Sequence, residues 1–189
     1  MVLPIYAYGN KILSEPADDV EPEDEGLSEL IEQMWETMYA SSGVGLAAPQ
    51  VGRSLRLFVM DAGQLDENYH GLKRVIINPE ILEPSAEKVN YEEGCLSIPH
   101  IREEIKRPET VTIGYEDEEF NYYEETFSDI PARIIQHEMD HLEGILFVDR
   151  VSSLRKRLLK KRLENIARGN VKVDYPMEFP IGKKKAAKR

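Results

Sequence analysis

The sequence predicts an α+β fold built on antiparallel sheet, and three observations carry that prediction. Helical periodicity is confined to three stretches, near 27–40, 131–143 and 153–167. Between the first two, from Leu55 to about Phe127, short β-favouring runs succeed one another, broken by Pro, Gly or Asn. No helix separates those runs, and strands that follow each other without a crossover pair antiparallel.

Taken in order, an acid-rich loop with six carboxylates between Asp18 and Glu25 precedes the first helix. There Leu27, Leu30, Ile31, Met34, Trp35 and Met38 recur at helical spacing and predict one buried face, ending before Gly43. Leu57–Met60, Val75–Ile77, Ile98–Ile105 and Val111–Tyr115 are the strand segments. The second helix starts near Pro131, with Ser128 or Asp129 at its cap, and stops at Gly144, a residue suited to the left-handed position after a helix end. The third, Ser153 to Ala167, is amphipathic and basic: Leu154, Leu158, Leu159, Leu163 and Ile166 are expected on one side and the bases opposite. Residues 182–189, with their lysine cluster, are expected to be disordered.

At 189 residues, 41% hydrophobic and 31% charged, the chain suits one domain with a core of ordinary size. We expect a single catalytic domain over 1–168 and a basic, flexible tail over 169–189. No apolar run reaches the roughly 18 residues of a spanning helix, and the N-terminus lacks the pattern of a secretory signal, so a cytoplasmic location and no membrane association are expected. One cysteine, Cys95, excludes an internal disulfide. The net charge of −11 is unevenly held, since residues 155–189 carry 13 bases and 3 acids. An acidic body excludes bulk attraction to nucleic acid, and sequence-specific binding is not expected. The basic end suits a polyphosphate partner.

The sharpest chemical signal is His137-Glu138-Met139-Asp140-His141. Histidines four apart lie one helical turn above each other and grip one metal ion, with the glutamate beside it. Ile134, Ile135, Leu142, Ile145, Leu146 and Phe147 flank the motif, so the helix is buried, where unpaired ionisable groups are costly. A catalytic metal usually has three protein ligands and an open position. A third histidine six residues past His141 is absent, because Phe147 stands there. Glu164 lies at the distance of a gluzincin-like ligand but in the most basic helix, while His70 lies in a polar loop and His100 follows a proline. Cys95 is the better candidate. Gly94 lets backbone approach it closely, Pro99 ends its segment rigidly, and a metal would hold its sulfur as thiolate.

A third constellation runs from Gly43 to Gly52. Gly43-x-Gly45-x-x-Ala48 imitates a dinucleotide fingerprint, with Asp61 and Asp66 where a ribose-binding acid would stand. That fingerprint needs a strand before and a helix after, whereas a helix precedes this one and Pro49 interrupts any that follows. What remains is a small-residue loop whose backbone can approach a ligand, with Gln50 offering an amide donor.

Together, Gly43–Gly52, Glu93–Pro99 and Gln136–His141 resemble the three signature motifs of the peptide deformylases, and the resemblance extends from Ile5 to about Asn165. It implies antiparallel sheets packed around the central metal-binding helix. It also implies Cys95, His137 and His141 as metal ligands and Glu138 as general base and acid. Gln50 and the Leu96 N–H would face the oxygen of a formyl group. Val44, Gly45 and Gly94 would pair their backbones with an extended peptide, and Glu93 and Arg102 would line the rim of a methionine pocket. The implied reaction is hydrolysis of the N-formyl group of formylmethionyl nascent peptides, releasing formate. The implied cofactor is one divalent ion, Fe2+ in the cell, with Zn2+, Ni2+ or Co2+ compatible with the same donors. The implied partner of the basic C-terminal segment is the ribosome. Arg133 falls where other members often carry an apolar residue of that pocket, and Tyr91 also sits at a pocket-facing position. Two other readings follow from the residues: a zincin-like peptidase with Glu164 as third ligand, and a non-catalytic, metal-stabilised ribosome-binding module.

Overall fold

The computed structural model describes residues 1–180. Strand β3 (Leu57–Asp61) shows how the core is organised. All five of its residues are buried, because alternate side chains enter different cores. Leu57 and Val59 pack with Leu30, Ile31, Met34 and Met38 of α1 (Leu27–Ala40). Phe58 and Met60 pack with Ala132, Ile135, Met139 and Leu142 of α2 (Asp129–Leu142). The sheet is thus covered by a helix on each face at this strand, which is why its sequence reads as a continuous apolar run.

With β2 (Gly45–Ala47), β4 (Lys73–Pro84), β7 (Thr110–Glu116) and β8 (Tyr122–Ser128), β3 forms a five-stranded antiparallel sheet in the order β2-β3-β4-β7-β8. A separate antiparallel hairpin, β5 (Lys88–Cys95) with β6 (Ile98–Pro108), lies along the other side of α2. Gln136 and Arg133 on α2 donate to the β6 carbonyls of Pro108 and Ile105, at 2.9 Å each. The α+β prediction holds, with the histidine-bearing helix between sheet and hairpin. No helix of the described residues is long and apolar enough to cross a membrane.

Gly144 follows α2 with φ +69°, and a Cβ there would sit 2.7 Å from the backbone of Ser14 and Glu15. Only glycine meets both conditions. Helix α3 (Ser153–Ala167) corrects one expectation: Leu159, Leu163 and Ile166 are buried, whereas Leu154 and Leu158 are 61% and 62% exposed. Leu158 precedes Leu159 by one residue, about 100° around the helix, so the inward stripe is narrower than the leucine content implied.

The expected flexible tail needs a second correction. Residues 171–179 return along the body, and β9 (Met177–Glu178) pairs in parallel with β1 (Ile5–Tyr6). Val171, Val173, Tyr175, Met177 and Phe179 are half-buried and alternate with exposed Lys172, Asp174, Pro176 and Glu178. That period of two, Val-Lys-Val-Asp-Tyr-Pro-Met-Glu-Phe, was the available signal, and the surrounding lysines masked it. The expectation for residues 182–189 lies outside the described residues.

Candidate metal centre and active site

His137 and His141 project from consecutive turns of α2, with ring centroids 5.2 Å apart. Cys95, the last residue of β5, brings its Sγ to 3.3 Å from His141 Nε2. One ligand atom from each of the three lies within 4.8 Å of the others, a spacing that one ion can span. A soft sulfur and two imidazole nitrogens form the donor set of a transition-metal site. Glu164 is exposed on α3 and outside this cluster, as are His70 and His100, so the Glu164 peptidase reading loses its ligand.

The cluster is oriented from beneath. His137 Nδ1 donates to Glu93 Oε2 at 2.9 Å, which leaves Nε2 for the ligand cluster. Glu93 also accepts two hydrogen bonds from Arg107, at 2.6 and 2.9 Å, and one from Arg133 at 2.9 Å. Arg107 continues to Asp140, which pairs with Arg150. Burial opposes ionisation of Glu93, but the hydrogen bonds from Arg107 and His137 outweigh it and hold the carboxyl well below the usual range. Glu93, though among the residues that line the cleft, therefore has its buried carboxylate turned under the candidate ligands and not at the rim, where the resemblance had put it. At the rim, Glu92 accepts from Arg102 at 2.7 Å, in an exposed pair. Sequence reasoning missed Glu92, Arg107, Asp140 and Tyr175. The Glu-Glu repeat at 92–93 cannot say which carboxylate turns inward until strand register is known.

Glu138 is buried beside the cluster, and its Oε2 has no hydrogen-bond partner. Burial pushes its carboxyl up to about 7, partly countered by His137. A Cβ on Gly45 would lie 2.5 Å from Glu138 Oε1, so glycine is needed for the carboxylate to reach its place. Gln50 follows β2 in a single 3₁₀ turn. Its Oε1 accepts from the Ala47 N–H at 2.9 Å, which aims its Nε2 at Cys95 Sγ, 3.5 Å away, and Ser97 Oγ, 3.3 Å away.

A cleft of about 620 Å³ leads to these groups. Val44 and Gly45 line one side; Glu92, Gly94 and Leu96 line the other. β2 is the outer strand of the large sheet and β5 an edge of the hairpin, so both walls present backbone edges to an extended chain. Arg133 and Tyr91 also line the cleft, with the Arg133 guanidinium 5.7 Å from the Tyr91 ring centroid. The arrangement combines three donors that could hold a Lewis-acidic ion, an unpartnered buried carboxyl oxygen and an amide donor at one end of a peptide-shaped groove. Metal-assisted hydrolysis of an amide is the chemistry these parts serve together, which makes the class a metal-dependent hydrolase.

Comparison with known proteins narrows the class. A family model described as polypeptide deformylase matches residues 2–157. The peptide deformylase of Christiangramia forsetii is 48% identical over 97% of this chain and 99% of its own length. Among solved structures, the deformylase of Thermotoga maritima superposes with TM-score 0.74 at 45% identity, covering 80% of this chain and 99% of its own. A deformylase of Acinetobacter baumannii bound to Met-Ala-Ser does so with TM-score 0.75 at 40% identity, covering 80% and 99%. The chain belongs to the polypeptide deformylase family, metal-dependent hydrolases that remove the N-formyl group from nascent polypeptides.

Proposed function

We propose that Cys95, His137 and His141 hold the catalytic ion and that Glu138 moves the proton, the supporting observation being an unpartnered, buried carboxyl oxygen beside a three-donor cluster. When bound, a divalent ion supplies Lewis acidity that acidifies water and polarises a carbonyl. Glu138 accepts the proton of the attacking water and returns it to the departing amine, a role open to its buried, unpartnered Oε2. The Gln50 amide and the Leu96 N–H face the oxygen of the formyl group as charge develops there. Val44, Gly45 and Gly94 pair with the substrate backbone at the two strand edges. Arg102 closes the rim with Glu92. The formyl carbon bears only hydrogen, so a narrow site excludes bulkier acyl groups by size.

Fe2+ is the ion we assign in the cell, with Zn2+, Ni2+ or Co2+ able to occupy the same donors. The substrate is an N-formylmethionyl peptide; the Met-Ala-Ser held by the Acinetobacter relative has the sequence of a deformylated product. Exposed Arg157, Lys160 and Lys161 on α3, followed by the lysines at 183–185, support a ribosomal partner and a cytoplasmic setting. Formate release from formyl-Met-Ala by metal-loaded protein, without cleavage of internal peptide bonds, is the expected result; internal cleavage without formate would refute the assignment.

A further inference from the structure

Leu96 and Ser97 form the two-residue turn between β5 and β6, closed by the Cys95–Ile98 pair. Two-residue hairpin turns favour conformations with positive φ, which match the strand twist. Neither Leu96 nor Ser97 has positive φ, so this turn gains its definition from outside the hairpin. Both of its carbonyls are held there. Tyr175 Oη donates to Leu96 O at 2.8 Å, and Tyr8 N donates to Ser97 O at 2.9 Å. The two donors belong to one ribbon, since Tyr8 follows β1 and Tyr175 precedes β9, the strands that pair with each other. The ribbon is clipped to the hairpin again where His100, at φ +64° in a bulge of β6, donates from Nε2 to Lys172 O at 2.7 Å.

The segment 172–175 lines the far side of the cleft, and Tyr175 packs with Leu96 against the core shared with α1. Residues 158–189 lie beyond the match to the family model, whereas the Christiangramia forsetii relative aligns over 97% of this chain. We propose that the C-terminal strap is part of the active site: Tyr175, a positioning residue, fixes the Leu96–Ser97 turn so that the Leu96 N–H points at the developing oxyanion. The inference rests on the role given to Leu96 above. Tyr175 acts one peptide unit away, because it holds the 96–97 carbonyl while the N–H belongs to the 95–96 peptide. Rotation of the turn would move both.

Tyr175→Phe keeps the ring and removes only the donor. Losing an oxyanion donor outright costs about a hundredfold or more, so loosening one is expected to lower kcat on formyl-Met-Ala about tenfold with KM within about twofold. In zinc-loaded, ¹⁵N-leucine-labelled protein, the Leu96 amide should exchange faster while the buried Leu159 amide is unchanged. Fluorotyrosine at 175, which retains the O–H, should restore kcat, and Glu178→Gln should match wild type. Unchanged kcat in Tyr175→Phe overturns the proposal, and the amide then shows which link failed: unchanged exchange places the error in the strap, faster exchange in the role of Leu96. If Tyr175→Phe does not fold, Met177→Ala, which loosens the strap and leaves the hydroxyl, takes its place: reduced kcat at constant KM supports the proposal and unchanged kcat overturns it.

Discussion

Glu92 and Glu93 are adjacent in β5 and opposite in environment. The Glu92 side chain is 62% exposed against Arg102, so its pair is screened and contributes about 1 kcal/mol or less. The Glu93 side chain is 3% exposed and shares its single charge between Arg107, which also pairs with Asp140, and Arg133. Removing its charge leaves two buried guanidiniums under-compensated, which typically costs about 3–5 kcal/mol. Urea unfolding should therefore show Glu93→Gln strongly destabilised and Glu92→Gln nearly unchanged; equal effects would contradict the placement. Tyr115 provides a pH signature. Burial, with its hydrogen bond to Glu125, pushes its phenol up to about 12 from the usual 10, favouring the neutral form in the folded state. Its contribution is therefore intact below pH 10 and is lost as pH rises from about 10 to 12. Tyr115→Phe should flatten the alkaline fall in stability over that window, and an unaltered slope would show that Tyr115 does not drive it.

At the scale of elements, what the sequence revealed depended on which faces are apolar. α1, α2, β3 and the buried parts of β4, β6 and β7 were legible because burial leaves a hydrophobic period or, in β3, a continuous apolar run. β5 and β8 were not: Lys-Val-Asn-Tyr-Glu-Glu-Gly-Cys and Tyr-Tyr-Glu-Glu-Thr-Phe-Ser have one fully buried residue each, and cross-strand partners define them more than burial does. The candidate ligands His137 and His141, and Glu138 between them, were legible because metal chemistry on a helix fixes residue type and spacing, whereas Cys95 was only the better candidate for a third donor until the resemblance to the family singled it out. The charge network under them was not, since Arg107 meets Glu93 across 14 residues and Asp140 across 33. The strap also changes what a truncation means. Ending the chain at 180 removes five bases and leaves β9 in place, so hydrolysis of formyl-Met-Ala should be unchanged while ribosome sedimentation weakens in a salt-sensitive way. Equal ribosome binding by both forms at low salt would remove the lysines from the partner assignment.

For the molecule as a whole, an ion held by the proposed ligands would tie together pieces distant in sequence: β5 through Cys95 and α2 through its histidines. A ligand that binds only the folded state raises stability by mass action, about 2.7 kcal/mol at a hundred times its dissociation constant. Added zinc should raise the Tm of metal-stripped protein. Cys95→Ala should abolish that rise together with formate release, because two imidazoles alone hold a divalent ion weakly. A stoichiometric ion and normal turnover in Cys95→Ala would place the third ligand elsewhere.

In the proposed function, Glu138 moves the proton in a site the other residues assemble. Glu138→Gln keeps the side chain's size and leaves all three proposed ligands and the cleft intact. General acid–base catalysis typically contributes about 10²–10⁴-fold. The measurement is formate release from formyl-Met-Ala by Glu138→Gln with its metal content determined on the same sample. Near-stoichiometric metal with turnover reduced at least a hundredfold is the predicted result; a metal-loaded variant that keeps most of its activity would contradict it.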